Sequence, residues 1–228
     1  SKYGGFRGYN HWVGIKNLTR YNISLFLIIF LSFDVLFISI HLINALLLTS
    51  SNSFFYLEQE RSISEIYQYI KHAGIISLLF LIILKIKYFH YFSLIIFFTI
   101  VLADDSLQIH EKFGENFNLM IDSPALSEHL ARNLGELFGF LMLGALALIP
   151  LAISFIKSNY FFKKFLTQIL FLVAILIFFG VVIDSFSMLF THSPQISFLY
   201  SLLEESGEIF TTSFILYFVF AHFKSIYS

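Results

Sequence analysis

Cysteine is absent from the chain, which excludes disulfides, thiolate metal sites and iron–sulfur clusters. Charge is scarce. Asp, Glu, Lys and Arg make up 13% of the 228 residues, against about 25% in a soluble domain. Net charge is −1, so the chain carries no basic footprint for nucleic acid. The HExxH zinc motif is missing, because His110-Glu111 has no His three residues on. There is no Ser/His/Asp nucleophile motif and no glycine-rich phosphate loop; Gly4-Gly5-Phe6-Arg7-Gly8 reads as a flexible arm. No signal peptide is expected, since Ser1 to Asn22 is polar and basic and the first apolar run is too long for one.

What is abundant is grease. The chain is 57% hydrophobic, with a mean hydropathy of +0.80. These values predict an all-α integral membrane protein in contact with the lipid bilayer, multi-pass in a cell inner (plasma) membrane. At roughly 20 residues per span, six spans fit a single transmembrane domain covering 1–228: about 23–48, 66–84, 88–103, 134–155, 165–190 and 202–220. Residues 1–22 form an arm before the first span. The third apolar stretch is the shortest and is expected to continue as helix past Asp104.

Basic residues orient this six-helix bundle. With the N-terminus inside, the inner segments hold Lys2, Arg7, Lys16, Arg20, Lys85, Lys87, Lys157, Lys163, Lys164 and Lys224. The outer ones hold only Arg61, Lys71, Lys112 and Arg132. Ten against four predicts that both termini are cytoplasmic.

The acids are distributed differently. Fourteen of the fifteen Asp and Glu fall near the outer side, and the fifteenth, Asp34, lies deeper. At about 1.5 Å per helical residue, Glu136 and Asp184 stand about 30 Å from the inner face, Glu208 about 24 Å, Asp34 about 21 Å and His72 about 20 Å. Against a hydrocarbon core of about 30 Å, several of these groups lie within the outer leaflet. Charge at that depth is usually paired and usually functional. Asp34 is the hardest to explain by solvent.

Helical phase shows which groups share a face. Asp34 and His41 are seven apart, with Asn44 beyond; Glu65 and His72 are seven apart, with Tyr69 between. Asp104, Gln108 and Glu111 share a face if the helix is unbroken, and His110 points about 100° from Glu111. Glu205 lies three residues before Glu208, and Glu204 four before it. Ser62-Ile63-Ser64-Glu65 reads as a capping box, and Glu65 as a cap. Ser123-Pro124 and Ser193-Pro194 read as helix starts. Gly135 and Gly139 form a GxxxG that permits close helix approach. The long fourth helix is expected to break or kink near Gly135, Gly139 or Pro150.

Carboxylate and imidazole without thiolate suit Zn, Mn or Fe, and helical bundles build metal sites from inward-facing acids and His. The expected metal ligands are Asp34, His41, His72, Asp104, His110, Glu111, Glu136, Asp184, Glu205 and Glu208. The Glu-x-x-His pairs of soluble di-iron bundles are absent.

Two segments carry a resemblance. Leu102-Ala103-Asp104-Asp105-Ser106-Leu107-Gln108-Ile109-His110-Glu111 and Leu203-Glu204-Glu205-Ser206-Gly207-Glu208-Ile209 are similar to an x-D-[DE]-x-x-x-[IL]-H-E helix and a late E-E-x-x-E helix. Both resemble a group of uncharacterised bacterial multi-pass membrane proteins with no established activity. The likeness implies that the two segments work as a unit. Ceramidase-like membrane hydrolases also place acids and His at one membrane face, but their spaced late His pair is missing here.

Three functions follow. The first is a metalloprotein, as an enzyme acting on a lipid or lipid-soluble substrate. The second is an accessory subunit of a larger membrane complex, such as a respiratory one, with haem on His41 and His72 as a variant. The third is a cation or proton transporter, opposed by the lack of any carboxylate below Asp34.

Overall fold

The computed structural model describes residues 17–47, 62–120, 128–183, 186 and 194–227. These are helical nearly throughout: α1 (Asn17–Leu47), α2 (Ile63–Ile86), α3 (Tyr91–Leu107), α4 (Ile109–Met120), α5 (Glu128–Lys157), α6 (Tyr160–Ile177), a π-helical turn (Phe178–Ile183) and α7 (Pro194–Tyr227). Among the described residues, five helical segments are long and apolar enough to cross a membrane: Ser24–Asn44, Ile63–Ile86, Ala131–Lys157, Tyr160–Ile183 and Ile196–Tyr227. A sixth qualifies if α3 and α4, bent by 58°, count as one broken span. The protein is therefore a multi-pass membrane protein.

Local chemistry sets the helix ends. Ser62 caps α2, its hydroxyl accepting the Glu65 N–H at 3.3 Å. Lys87 closes α2 in the left-handed conformation, donating its N–H to Ile83 O at 2.8 Å. Asn159 starts α6 by accepting the Phe162 N–H at 2.9 Å. Pro194 opens α7, while Ser193, Ser123 and Pro124 lie outside the described residues. α5 runs as one continuous helix through Gly135, Gly139 and Pro150, so the chain is not broken there. The break falls instead at Gln108, whose left-handed backbone (φ 52°) ends α3.

α7 is the axis of the bundle. It packs against α1, α2, α6 and the π turn, and α2 also packs on α3. Its buried Thr211 and Thr212 donate to carbonyls four residues back, so their hydroxyls are satisfied inside the helix. Ile75, Leu79, Leu94, Phe98, Leu166, Ile169 and Ile215 fill the core. At the end holding Lys85, Lys157 and Lys224, buried Tyr91 meets His222 Nε2 at 2.6 Å, and His222 stacks on Phe165 at 3.9 Å.

α4 folds back on α5 through glycine. A Cβ on Gly135 would lie 2.5 Å from Phe117 Cβ and 2.8 Å from Gly114 Cα; one on Gly139 would lie 3.1 Å from His110 Cα. The GxxxG pair is thus the seat of α4. Gly135→Ala is expected to destabilise the protein by ~1–3 kcal/mol through overpacking. Gly144→Ala, on the same helix with nothing within 4 Å of the added carbon, should not. Thermal unfolding in detergent separates the two; equal melting temperatures would refute the close α4–α5 seat.

Candidate cation site

Two polar centres emerge at the acidic end. The first is a lock. Asp34 Oδ1 and Lys71 Nζ form an ion pair at 3.2 Å with both side chains 0% exposed. Lys71 also donates to Ile209 O at 2.7 Å and to Ser213 Oγ at 3.2 Å, and its ammonium lies 4.5 Å from the Tyr67 ring centroid. Tyr67 in turn donates to Phe30 O at 3.1 Å. Asp34 is therefore explained by pairing. Lys71, counted from sequence among outer-segment charges, lies fully inside the bundle. A signal for it existed: Lys71 is fourteen residues from Lys85, and Asp34 is fourteen from Arg20, so both stand at about 21 Å.

The second centre is a cavity of about 1130 Å³. α2 contributes Glu65, Gln68, Tyr69 and His72; α3 contributes Asp104 and Asp105; α4 contributes His110 and Glu111. Arg132, Asn133 and Glu136 come from α5, and Glu204, Glu205 and Glu208 from α7. Among the described lining residues, eight carboxylates thus share the cavity with one guanidinium.

The bend at Gln108 changes the faces. Asp104 no longer aligns with Gln108 and Glu111. Its Oδ1 accepts the His110 backbone N–H at 3.0 Å and meets His110 Nδ1 at 3.0 Å. One carboxylate therefore holds the first turn of α4 and orients the imidazole, which stacks on Phe140 at 4.0 Å. Tyr69 donates to Glu65 and to Asp105 O, tying α2 to α3, so Glu65 is a wall residue as well as the third residue of its cap. Arg132 Nε meets Glu136 Oε1 at 2.8 Å, with Glu136 folded over Gly114.

Glu208 is the link between the centres. It acts electrostatically on Lys71 and on Asp105, and Asp105 also feels Asp104 and Glu65. A Cβ on Gly180 would lie 2.0 Å from Glu208 Oε1, so the π turn, where Gly180 sits, makes room for this carboxylate.

His72 is the most unusual wall residue. It is 2% exposed, lines the cavity, and makes no hydrogen bond through either ring nitrogen among the described residues. The Gln68 carbonyl one turn back is near but outside hydrogen-bonding geometry. Even a bond there would leave the other nitrogen bare. Buried polar groups are nearly always satisfied, so this one points to a ligand.

Of the ten expected ligands, His72, Asp104, His110, Glu111, Glu136, Glu205 and Glu208 line this cavity. Asp34 belongs to the lock, and His41 is buried against α7, stacked on Phe198 at 5.4 Å. Asp184 lies outside the described residues. The seven do not converge as one coordination sphere: among the described residues, no three His, Asp or Glu are arranged to hold a metal ion. Sequence reasoning named Lys71 and Arg132 only as outer charges, passed over Gln68, and read Glu65 as a cap.

Removing one partner of the lock strands the other in a dry interior. Lys71→Met is expected to destabilise by ~3–5 kcal/mol, and the Asp34→Asn/Lys71→Met pair to recover most of that loss. Chemical denaturation in mixed micelles reads both; a double variant no better than the single one would refute the pairing. Comparison with family models, curated proteins and solved structures returns no match for this chain.

Proposed function

We infer that the cavity is a binding site for a positively charged ligand, carried by a six-span protein of the cell inner membrane with both termini cytoplasmic. In this reading α3 and α4 are one broken span and the cavity opens at the outer side. The observation that carries the function is the buried His72, unpartnered among the described residues, on the wall of the same cavity as eight carboxylates. Clustered carboxylates repel one another and lose hydration when enclosed, and a cation relieves both penalties.

The donor chemistry also suits Zn, Mn or Fe, and a metalloenzyme acting on a lipid is the second reading. A metal would have to draw together ligands that the described geometry holds apart. Cation binding therefore has the stronger support.

Neutralising the cluster should expose the trade between stability and binding. Asp105→Asn/Glu208→Gln is expected to raise ligand-free stability by about 0.5–2 kcal/mol. It should also abolish the rise in melting temperature that small amines, Zn²⁺ or Mn²⁺ give the parent. A parent protein whose melting temperature no cation moves would sink the reading.

Orientation is checked separately. The chain has no Cys, so a single introduced thiol reports alone. An impermeant maleimide should label Asn116→Cys in right-side-out vesicles, and Ser158→Cys only after permeabilisation. The opposite pattern inverts the topology.

A further inference from the structure

The cavity is far larger than an ion needs. Its volume of about 1130 Å³ compares with roughly 30 Å³ for a water molecule. Away from the carboxylates its wall is apolar, built by Phe97 and Ile100 of α3, Leu141 and Leu148 of α5, and Val173 and Leu176 of α6. That wall is open on one side. α5 and α6 barely touch, and Leu141, a wall residue on α5, is 65% exposed. Along the same two helices lies a second, apolar hollow of about 330 Å³, which shares Leu148 and is lined by α5 and by Leu170 of α6.

The site therefore has two chemistries in series: an acidic chamber at one end and an apolar cleft leading sideways between α5 and α6. Resting on the cation-binding reading above, we propose that the ligand is a membrane amphiphile with a positively charged amine head. The head enters the chamber, and the hydrocarbon chain lies in the α5–α6 cleft. An ammonium has three N–H donors. The chamber wall offers acceptors of both kinds: carboxylates such as Glu208 and Asp105, and a bare ring nitrogen of His72. A zwitterionic phospholipid fits poorly, because its phosphate would meet carboxylates. Arg132, the sole cationic side chain among the described lining residues, is engaged by Glu136 at 2.8 Å.

Native mass spectrometry of the protein released from detergent micelles tests this, with dodecylamine, propylamine, dodecanol and phosphatidylethanolamine as probes. Dodecylamine should bind at least tenfold more tightly than propylamine, and dodecanol and phosphatidylethanolamine should not displace it. Glu208→Gln should weaken dodecylamine at least tenfold. Leu141→Trp, which fills the cleft, should weaken dodecylamine and leave propylamine unchanged. Equal affinity for the two amines would overturn the amphiphile while leaving the cation site standing. Displacement by dodecanol or phosphatidylethanolamine would overturn the amine head. No amine bound to a parent protein that still melts cooperatively would end both readings.

Discussion

The buried pair of Asp34 and Lys71 is the constraint on which the acidic end depends. Two charges with 0% exposure are costly in a low-dielectric interior, and mutual attraction with added hydrogen bonds offsets that cost. Lys71 makes the added bonds on α7, at Ile209 O and Ser213 Oγ, while Asp34 Oδ2 has no hydrogen-bond partner among the described residues. The pair therefore joins three helices far apart in sequence, and it fixes the rotation of α7 about its axis. With Ile209 turned to Lys71, Glu204, Glu205 and Glu208 on the preceding turns line the cavity. The lock is structural, and the site is built from what the lock leaves over.

The second constraint is the broken span. An unbroken helix through Gln108 would carry Glu111 onward along the bundle axis. The left-handed Gln108 and the 58° bend turn α4 back over α5 instead. Asp104 makes the bend self-consistent by taking the His110 amide and ring. Glycines complete it: Gly114 and Gly135 allow the crossing, and Gly180 admits Glu208. The acidic chamber is the space left between the bent span and α7.

Much of this was legible in the chain. Hydropathy and length give the apolar helices, Ser62-Ile63-Ser64-Glu65 gives the start of α2, and Gly135 and Gly139 give a close crossing. Depth alone puts Glu136 and Glu208 toward the outer side. The helix break was hidden, because no Gly or Pro marks Gln108; a carboxylate four residues earlier does the work that a breaker residue would. The Asp34–Lys71 pair was hidden for a different reason. Equal depths suggest it, but a pair also needs α1 beside α2 with α7 between their polar faces, and that is a property of packing. His72 was legible as deep and not as bare, since satisfaction of a ring nitrogen depends on every neighbouring helix.

α2 carries both centres at adjacent positions. Lys71 and His72 are neighbours in sequence, so their side chains leave the helix about 100° apart. Lys71 turns to α1 and α7, and His72 to the cavity. Glu208 answers to both sides, acting on Lys71 and on Asp105. On the cation-binding reading, a cation among the carboxylates would compete with Lys71 for the field of Glu208. Occupancy of the cavity would then be felt at the contact that holds α1, α2 and α7 together. Linkage would make that coupling reciprocal: loosening the lock would change the ligand's affinity by the same free energy that the ligand's binding changes the lock.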